Sequence, residues 1–154
     1  ILAEAGVKIT HIPYQGSPAA VTALIRGDVQ MAVLPAGGAM PHVEDGKIRA
    51  LALTLGERSA LLPNLPTLKE VGIPNVEADA WLGLIGPARL PETIATRLRD
   101  AVAGSLAEPD MREKLRVQFI EPREGGEAAF RALVRAELER WAPVVRASGI
   151  RAGQ

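Results

Sequence analysis

The chain has no cysteine, which excludes a disulfide scaffold and any cysteine-based zinc site. It has two histidines, His11 and His42, which lack a metal-ligand spacing, so no metal site is expected. Aromatic residues make up 3%, and 18 basic residues balance 18 acidic ones. With no basic block either, nucleic acid is not an expected partner. No apolar run reaches the length of about 18 residues that a membrane-spanning helix needs. G-x-S-x-G, P-loop and G-x-G-x-x-G motifs are all absent, and no cofactor is expected. There is no initial Met and no signal peptide. Ile1-Leu2-Ala3-Glu4-Ala5-Gly6 reads as the end of a helix already under way, so the natural chain is expected to be longer at its N-terminus.

What is present is 154 residues, 47% of them apolar, enough for one ordinary domain or two small packed lobes. The stretch His11-Ile12-Pro13-Tyr14-Gln15-Gly16-Ser17-Pro18-Ala19 organises the reading. Lys8 to Ile12 alternates polar and apolar residues, which suits a strand. Ala20, Val21, Leu24 and Ile25 then fall at helical spacing, and Gly27 stops them. Ser17 is the expected N-cap and Pro18 the expected first helical residue. A helix start leaves N–H groups without internal partners and carries a partial positive charge, so this turn is a candidate anion site. Tyr14 offers a hydroxyl beside it. The alternative is plain strand–turn–helix punctuation of the kind α/β proteins use everywhere.

The same pattern continues. Val29 to Leu34 reads as a buried strand, Pro35 to Gly38 as a turn, Ala39 to Asp45 as a short helix, and Ile48 to Thr54 as a third strand. Residues 8 to 54 thus read β-α-β-α-β, the signature of a mostly parallel sheet. Leu61 to Pro66 is too proline-rich for a regular element. Thr67 and Glu70 stand at capping-box spacing before a short helix ending at Gly72. Pro74 to Asp79 reads as a linker and Ala80 to Ile85 as a strand. A helix from Pro91 carries Ile94, Leu98, Val102 and Leu106, and a shorter one runs from Pro109 to near Leu115. Val117 to Ile120 reads as a short strand. Gly125 to Ser148 is a long amphipathic helix with Phe130, Leu133, Val134, Leu138, Trp141 and Val145 on one face. Pro143 is expected to kink or divide it.

Two paper constellations compete for chemistry. Ser17, His42 and Asp45 can be strung into a triad, but nothing in their context supports one. Gly37-Gly38 looks like a phosphate loop but lacks the following Lys. A tight turn is its plainer reading, with free amides at the helix start behind it.

Several segments agree in order with one family. HIPYQGSPAAVTALIRGDV, GKIRALALTLGERSALLPNLPTLKEVGIP, WLGLIGPARLPETIATRL and LERWAPVVRASGI together resemble the Bug-type, TctC-like substrate-binding proteins of tripartite tricarboxylate transporters. The resemblance implies an α/β fold, periplasmic-binding-protein-like (type II), with two lobes closing on a small carboxylate. It implies periplasmic location and integral membrane transporter subunits as partners, with the chain itself not membrane-spanning and not an enzyme. Family members are about twice this length, so the N-terminal half of the full protein is expected to be missing. Residues 1–77 would form a second-lobe β-α-β-α-β unit. Residues 78–154 would supply a crossover strand and the C-terminal helices that complete the first lobe. The ligand-facing positions carried over are Tyr14, Gly16, Ser17, Ala19 and Ala20 in the first turn, and Leu34, Ala36 and Gly37 in the second. Leu34 stands where many members carry an Asp, which disfavours an amino-acid ligand and favours one with an apolar portion. Gln15 replaces a common Lys, leaving more of the binding to backbone amides. The expected function is capture of a small carboxylate and its delivery to the transporter. The alternatives are an inactive fragment, or a small serine hydrolase using Ser17.

Overall fold

A computed structural model describes Ile1, residues 4–123 and residues 125–148. The end-of-helix reading of Ile1 to Gly6 therefore falls partly outside the described residues, at Leu2 and Ala3; Ala5 donates to the carbonyl of Ile1 at 2.9 Å. Five helices follow among the described residues: α1 (Ser17–Arg26), α2 (Ala36–Glu44), α3 (Glu92–Ala107), α4 (Pro109–Val117) and α5 (Gly126–Ser148). The chain divides into two compact units. Unit 1 holds Ile1–Leu82 and Glu108–Glu121; unit 2 holds Gly83–Ala107 and Pro122–Gln154.

Unit 1 contains the buried core. Val21 and Ala23 of α1 are buried, as are Thr67 and Leu68 of the loop region. Gly27 closes α1 in a left-handed turn, its N–H bonding to Leu24 O at 3.2 Å while that of Asp28 bonds to Ala23 O at 2.9 Å. α2 begins three residues earlier than expected, at Ala36, because Gly37 and Gly38 enter the helix instead of forming a turn before it. α1 and α2 pack against each other.

The helices of the expected β-α-β-α-β pattern form, but its strands do not: no described residue lies in a β-strand. Lys8–Ile12, Val29–Leu34 and Ile48–Thr54 build no ladder, nor do Ala80–Ile85 or Val117–Ile120. Periodicity records which side chains share a face, whereas a strand also needs a neighbour about 4.8 Å away to take its N–H and C=O groups. The nearest approach is a single parallel bridge between Leu53 and Thr67. There Leu53 N–H donates to Pro66 O at 2.8 Å and Leu68 N–H to Leu53 O at 2.9 Å. Thr54 is tied to Ala78 twice, accepting its N–H at 2.8 Å and donating its hydroxyl to Ala78 O at 2.6 Å.

The capping box at Thr67 is made, without its helix. Thr67 N–H donates to the Glu70 carboxylate at 2.8 Å and Glu70 N–H to Thr67 Oγ1 at 3.3 Å. Gly72, at φ 92°, and Pro74 then stop the chain after one turn. Arg58 locks this turn, its Nε bonding to Glu70 at 2.9 Å and its Nη1 to Pro63 O at 2.9 Å.

α4 returns to unit 1 and ends there in a tight cap where a strand was expected. Ile120 N–H reaches back to Leu115 O at 2.9 Å and Phe119 N–H to Arg116 O at 2.9 Å. Phe119 is the non-glycine residue with positive φ, 56°, among the described residues. In unit 2, α5 is not divided by Pro143, which lies inside it. Arg99 of α3 bridges Glu92 at 2.6 Å and Glu127 of α5 at 2.9 Å.

Candidate functional site

The first turn of α1 differs from expectation by one residue. Gly16 is the N-cap (φ 90°, ψ 169°), Ser17 is the first helical residue, and no side chain caps the helix. Ser17 is therefore no N-cap. A φ of 90° lies where side-chain-bearing residues meet their own backbone, so the chain places glycine there. Gly16 N–H folds back onto Tyr14 O at 2.9 Å, which makes the approach to the helix a tight turn. Among the described residues the N–H groups of Ser17 and Ala19 have no acceptor, Pro18 has no N–H, and Ala20 N–H makes only a long 3.4 Å bond to Gly16 O. Ser17 and Ala20 are half-buried, while Tyr14, Gly16 and Ala19 are exposed.

α2 starts in the same style. Pro35 precedes it with no side-chain cap, and Leu34, Ala36 and Gly37 are half-buried. Gly38 N–H bonds to Pro35 O at 3.2 Å, leaving the N–H groups of Ala36 and Gly37 without an acceptor among the described residues. Neither α1 nor α2 carries an acidic side chain in its first turn, so no internal carboxylate offsets the positive ends of their dipoles. The eight residues singled out in the sequence thus fall at the starts of two helices that contact each other within unit 1. What results is a set of neutral main-chain donors at two helix starts, one preceded in sequence by Tyr14 and the other by Leu34. Such a set suits an anion with an apolar portion.

Sequence reasoning missed Gln118. A Cβ on Gly37 would stand 2.7 Å from Gln118 O and 3.1 Å from its Oε1, so the end of α4 rests directly on the first turn of α2. The two residues are 81 positions apart, and no local signal links them. The paper triad is not assembled either. Asp45 bonds to Lys47 Nζ at 2.8 Å, which holds its carboxyl below the usual range, and His42 Nδ1 is buried without a partner. A separate open cavity of about 450 Å³ is lined by Gly56, Glu57, Arg58, Thr67, Lys69 and Glu70. Its Arg58 and Glu70 neutralise each other, so we place the site at the helix starts and not in that cavity.

The family model for "Tripartite tricarboxylate transporter family receptor" matches residues 1–150. The chain belongs to this receptor family. Among curated relatives, the family member described as "UPF0065 protein in tcbD-tcbE intergenic region" of Pseudomonas sp. is 31% identical over 146 residues, covering 94% of this chain and 44% of its own length. The chain thus spans about half the length of that relative. Three solved structures share the fold. R. palustris Rpa4515, solved with adipate, is 34% identical with a TM-score of 0.87 over 97% of this chain and 50% of its own. MatC (Rpa3494) from Rhodopseudomonas palustris, with bound malate, is 31% identical with a TM-score of 0.82 over 94% and 50%. Periplasmic binding protein BugD is 25% identical with a TM-score of 0.79 over 97% and 51%. The receptor fold is thus that of periplasmic binding proteins, α/β, of which this chain corresponds to one half. No helix among the described residues is long and apolar enough to cross a membrane.

Proposed function

We propose that the chain is the carboxylate-gripping part of an extracytoplasmic receptor that works in the periplasm and hands its ligand to integral membrane subunits of a tripartite tricarboxylate-type transporter. The carrying observation is the pairing of two helix starts free of acidic side chains with two relatives, at 34% and 31% identity, that hold the dicarboxylates adipate and malate. Main-chain N–H groups of Ser17, Ala19, Ala36 and Gly37 serve as donors to a carboxylate, and Tyr14 adds a hydroxyl. Leu34 covers the apolar part of the ligand. No bond is made or broken; binding is reversible and biased by closure of the whole receptor on its ligand. In the whole receptor residues 1–77 serve the second lobe and residues 78–154 complete the first, with 78–82 and Glu108–Glu121 the stretches whose packing departs from that division.

Ser17 provides the test. Proline is well accommodated at the first helical position and lacks the N–H that is in question, while Ser17→Ala removes the hydroxyl alone. Ser17→Pro is expected to keep the melting temperature and to weaken adipate or malate binding about tenfold, the usual cost of a lost hydrogen bond to a charged group. Ser17→Ala, which keeps the N–H, is expected to melt within about 0.5 kcal/mol of the parent, because no cap bond is lost. Calorimetry with both dicarboxylates reads the first effect. If Ser17→Pro binds like the parent, the α1 start is only a helix start. Ester turnover abolished by Ser17→Ala would instead favour a hydrolase.

A further inference from the structure

The end of α4 is strained and tied down. Gln118 and Ile120 both donate their N–H groups to Leu115 O at 2.9 Å, and Phe119 donates to Arg116 O at 2.9 Å. This reversal puts Phe119 in left-handed backbone, at φ 56°. Helix ends of this shape ordinarily place glycine there. A large side chain persists in such a conformation only where its surroundings hold it, and residues held this way cluster at binding sites and switches. A further tie lies two residues on, where Ser59 Oγ donates to Glu121 Oε1 at 2.8 Å across 62 positions of sequence. Both neighbours of Glu108–Glu121 in the chain, Ala107 and Pro122, belong to unit 2. The place of this stretch in unit 1 therefore rests on such contacts and not on the covalent chain.

The turn sets Gln118 against α2. A Cβ on Gly37 would stand 2.7 Å from the Gln118 main-chain O and 3.1 Å from its Oε1, closer than a methyl group and an oxygen approach. Cα–Cβ bonds tilt toward the start of a helix, so Gln118 fills the space beside the first turn of α2 that a side chain at Gly37 would take. The N–H groups of Ala36 and Gly37, on that same turn, have no acceptor among the described residues. Gly38, one residue on, is different: a Cβ there would meet no atom within 4 Å. α4 thus bears on one residue of the turn, and that residue carries a free donor.

We propose that Gln118 is a positioning residue of the carboxylate grip. The left-handed turn at Phe119 holds its two oxygens on Gly37, and this fixes the direction of the Ala36 and Gly37 N–H groups before a ligand arrives. Donors aimed in advance need less ordering on binding, which raises affinity. The proposal rests on the reading of the α2 start as part of the ligand site.

The test is calorimetry with adipate and malate on variants of the whole receptor. Phe119→Pro cannot keep a φ of 56°, so the turn opens and Gln118 leaves Gly37. Phe119→Gly loses the same ring but keeps the turn. The proline variant is expected to bind about tenfold more weakly, the effect of misdirecting one hydrogen bond to a charged group, and the glycine variant to bind like the parent. Gly37→Ala and Gly38→Ala make the same change one residue apart in one helix. The first drives Gln118 away and is expected to weaken binding about as much as the proline; the second enters open space and is expected to change nothing. Binding stoichiometry should stay at the parent's value, because a merely structural lesion lowers the folded fraction and not the affinity of what remains folded. Should Phe119→Pro not fold, Gly37→Ala against Gly38→Ala decides in the same way. A parent that binds, beside a folded Phe119→Pro or Gly37→Ala that binds equally well, overturns the role of Gln118 and leaves the ligand reading standing. A loss that Phe119→Gly shares with Phe119→Pro does the same, since the ring and not the turn then matters. A parent that holds neither dicarboxylate overturns the ligand reading and this proposal with it.

Discussion

At the residue scale, Gly16 carries a constraint that its neighbours do not. Its φ of 90° with ψ of 169° lies in a region that only glycine adopts readily, so Gly16→Ala costs about 1–3 kcal/mol. A β-branched replacement such as Gly16→Val costs more. Affinity and stability should therefore fall together in this position's variants, as thermal melts beside calorimetry would show, and ligand crowding cannot be separated from strain here. Glu70 answers to pH. The N–H of Thr67, then the Arg58 guanidinium, hold its carboxyl below 4.5. A depressed carboxyl stabilises the fold fully above its unfolded pKa and loses that contribution as pH falls through the folded value. The parent's melting temperature should thus fall more steeply below about pH 4.5 than that of Glu70→Gln. Equal slopes would show that the turn does not depend on the charge. Thr67 and Glu70 could be read in the sequence as a reciprocal pair because the motif is local. Arg58, twelve residues before Glu70, could not.

At the scale of elements, helices were readable and strands were not. Pro91, Pro109 and the long stripe from Phe130 announce α3, α4 and α5 through proline starts and helical spacing. A helix satisfies its own hydrogen bonds, so its sequence is nearly sufficient. A strand depends on a neighbour that the pattern does not name, and Lys8–Ile12 alternates as a strand should while pairing with nothing described. The end of α4 holds the other surprise. Phe119 sits in left-handed backbone, where glycine is at ease and a large side chain is not. Phe119→Gly and Phe119→Ala both remove the ring, so their difference isolates the backbone. The glycine variant should be the more stable by about 1 kcal/mol in chemical denaturation. An alanine variant of equal stability would mean that the cap opens freely.

At the scale of the whole molecule, the chain is half of a binding-protein fold, and among the described residues the buried ones lie in unit 1. Hydrogen exchange should record this: amides of α3 and α5 should exchange much faster than those near Val21 and Ala23 of α1. Equal protection would show that unit 2 has a core of its own. The family was readable because several ordered segments agree along the chain, whereas the contact of Gly37 with Gln118 belongs to the folded state alone. The uncapped starts of α1 and α2 have a consequence for descent. On the proposed reading the grip is made of main-chain N–H groups that no side chain encodes, so, apart from proline and the replacement of Gly16, most point substitutions leave it in place. Tyr14 and Leu34 beside it are ordinary side chains, free to vary one nucleotide at a time. On the proposed reading, a lineage built on this turn can therefore exchange one acid for another without passing through a receptor that holds none.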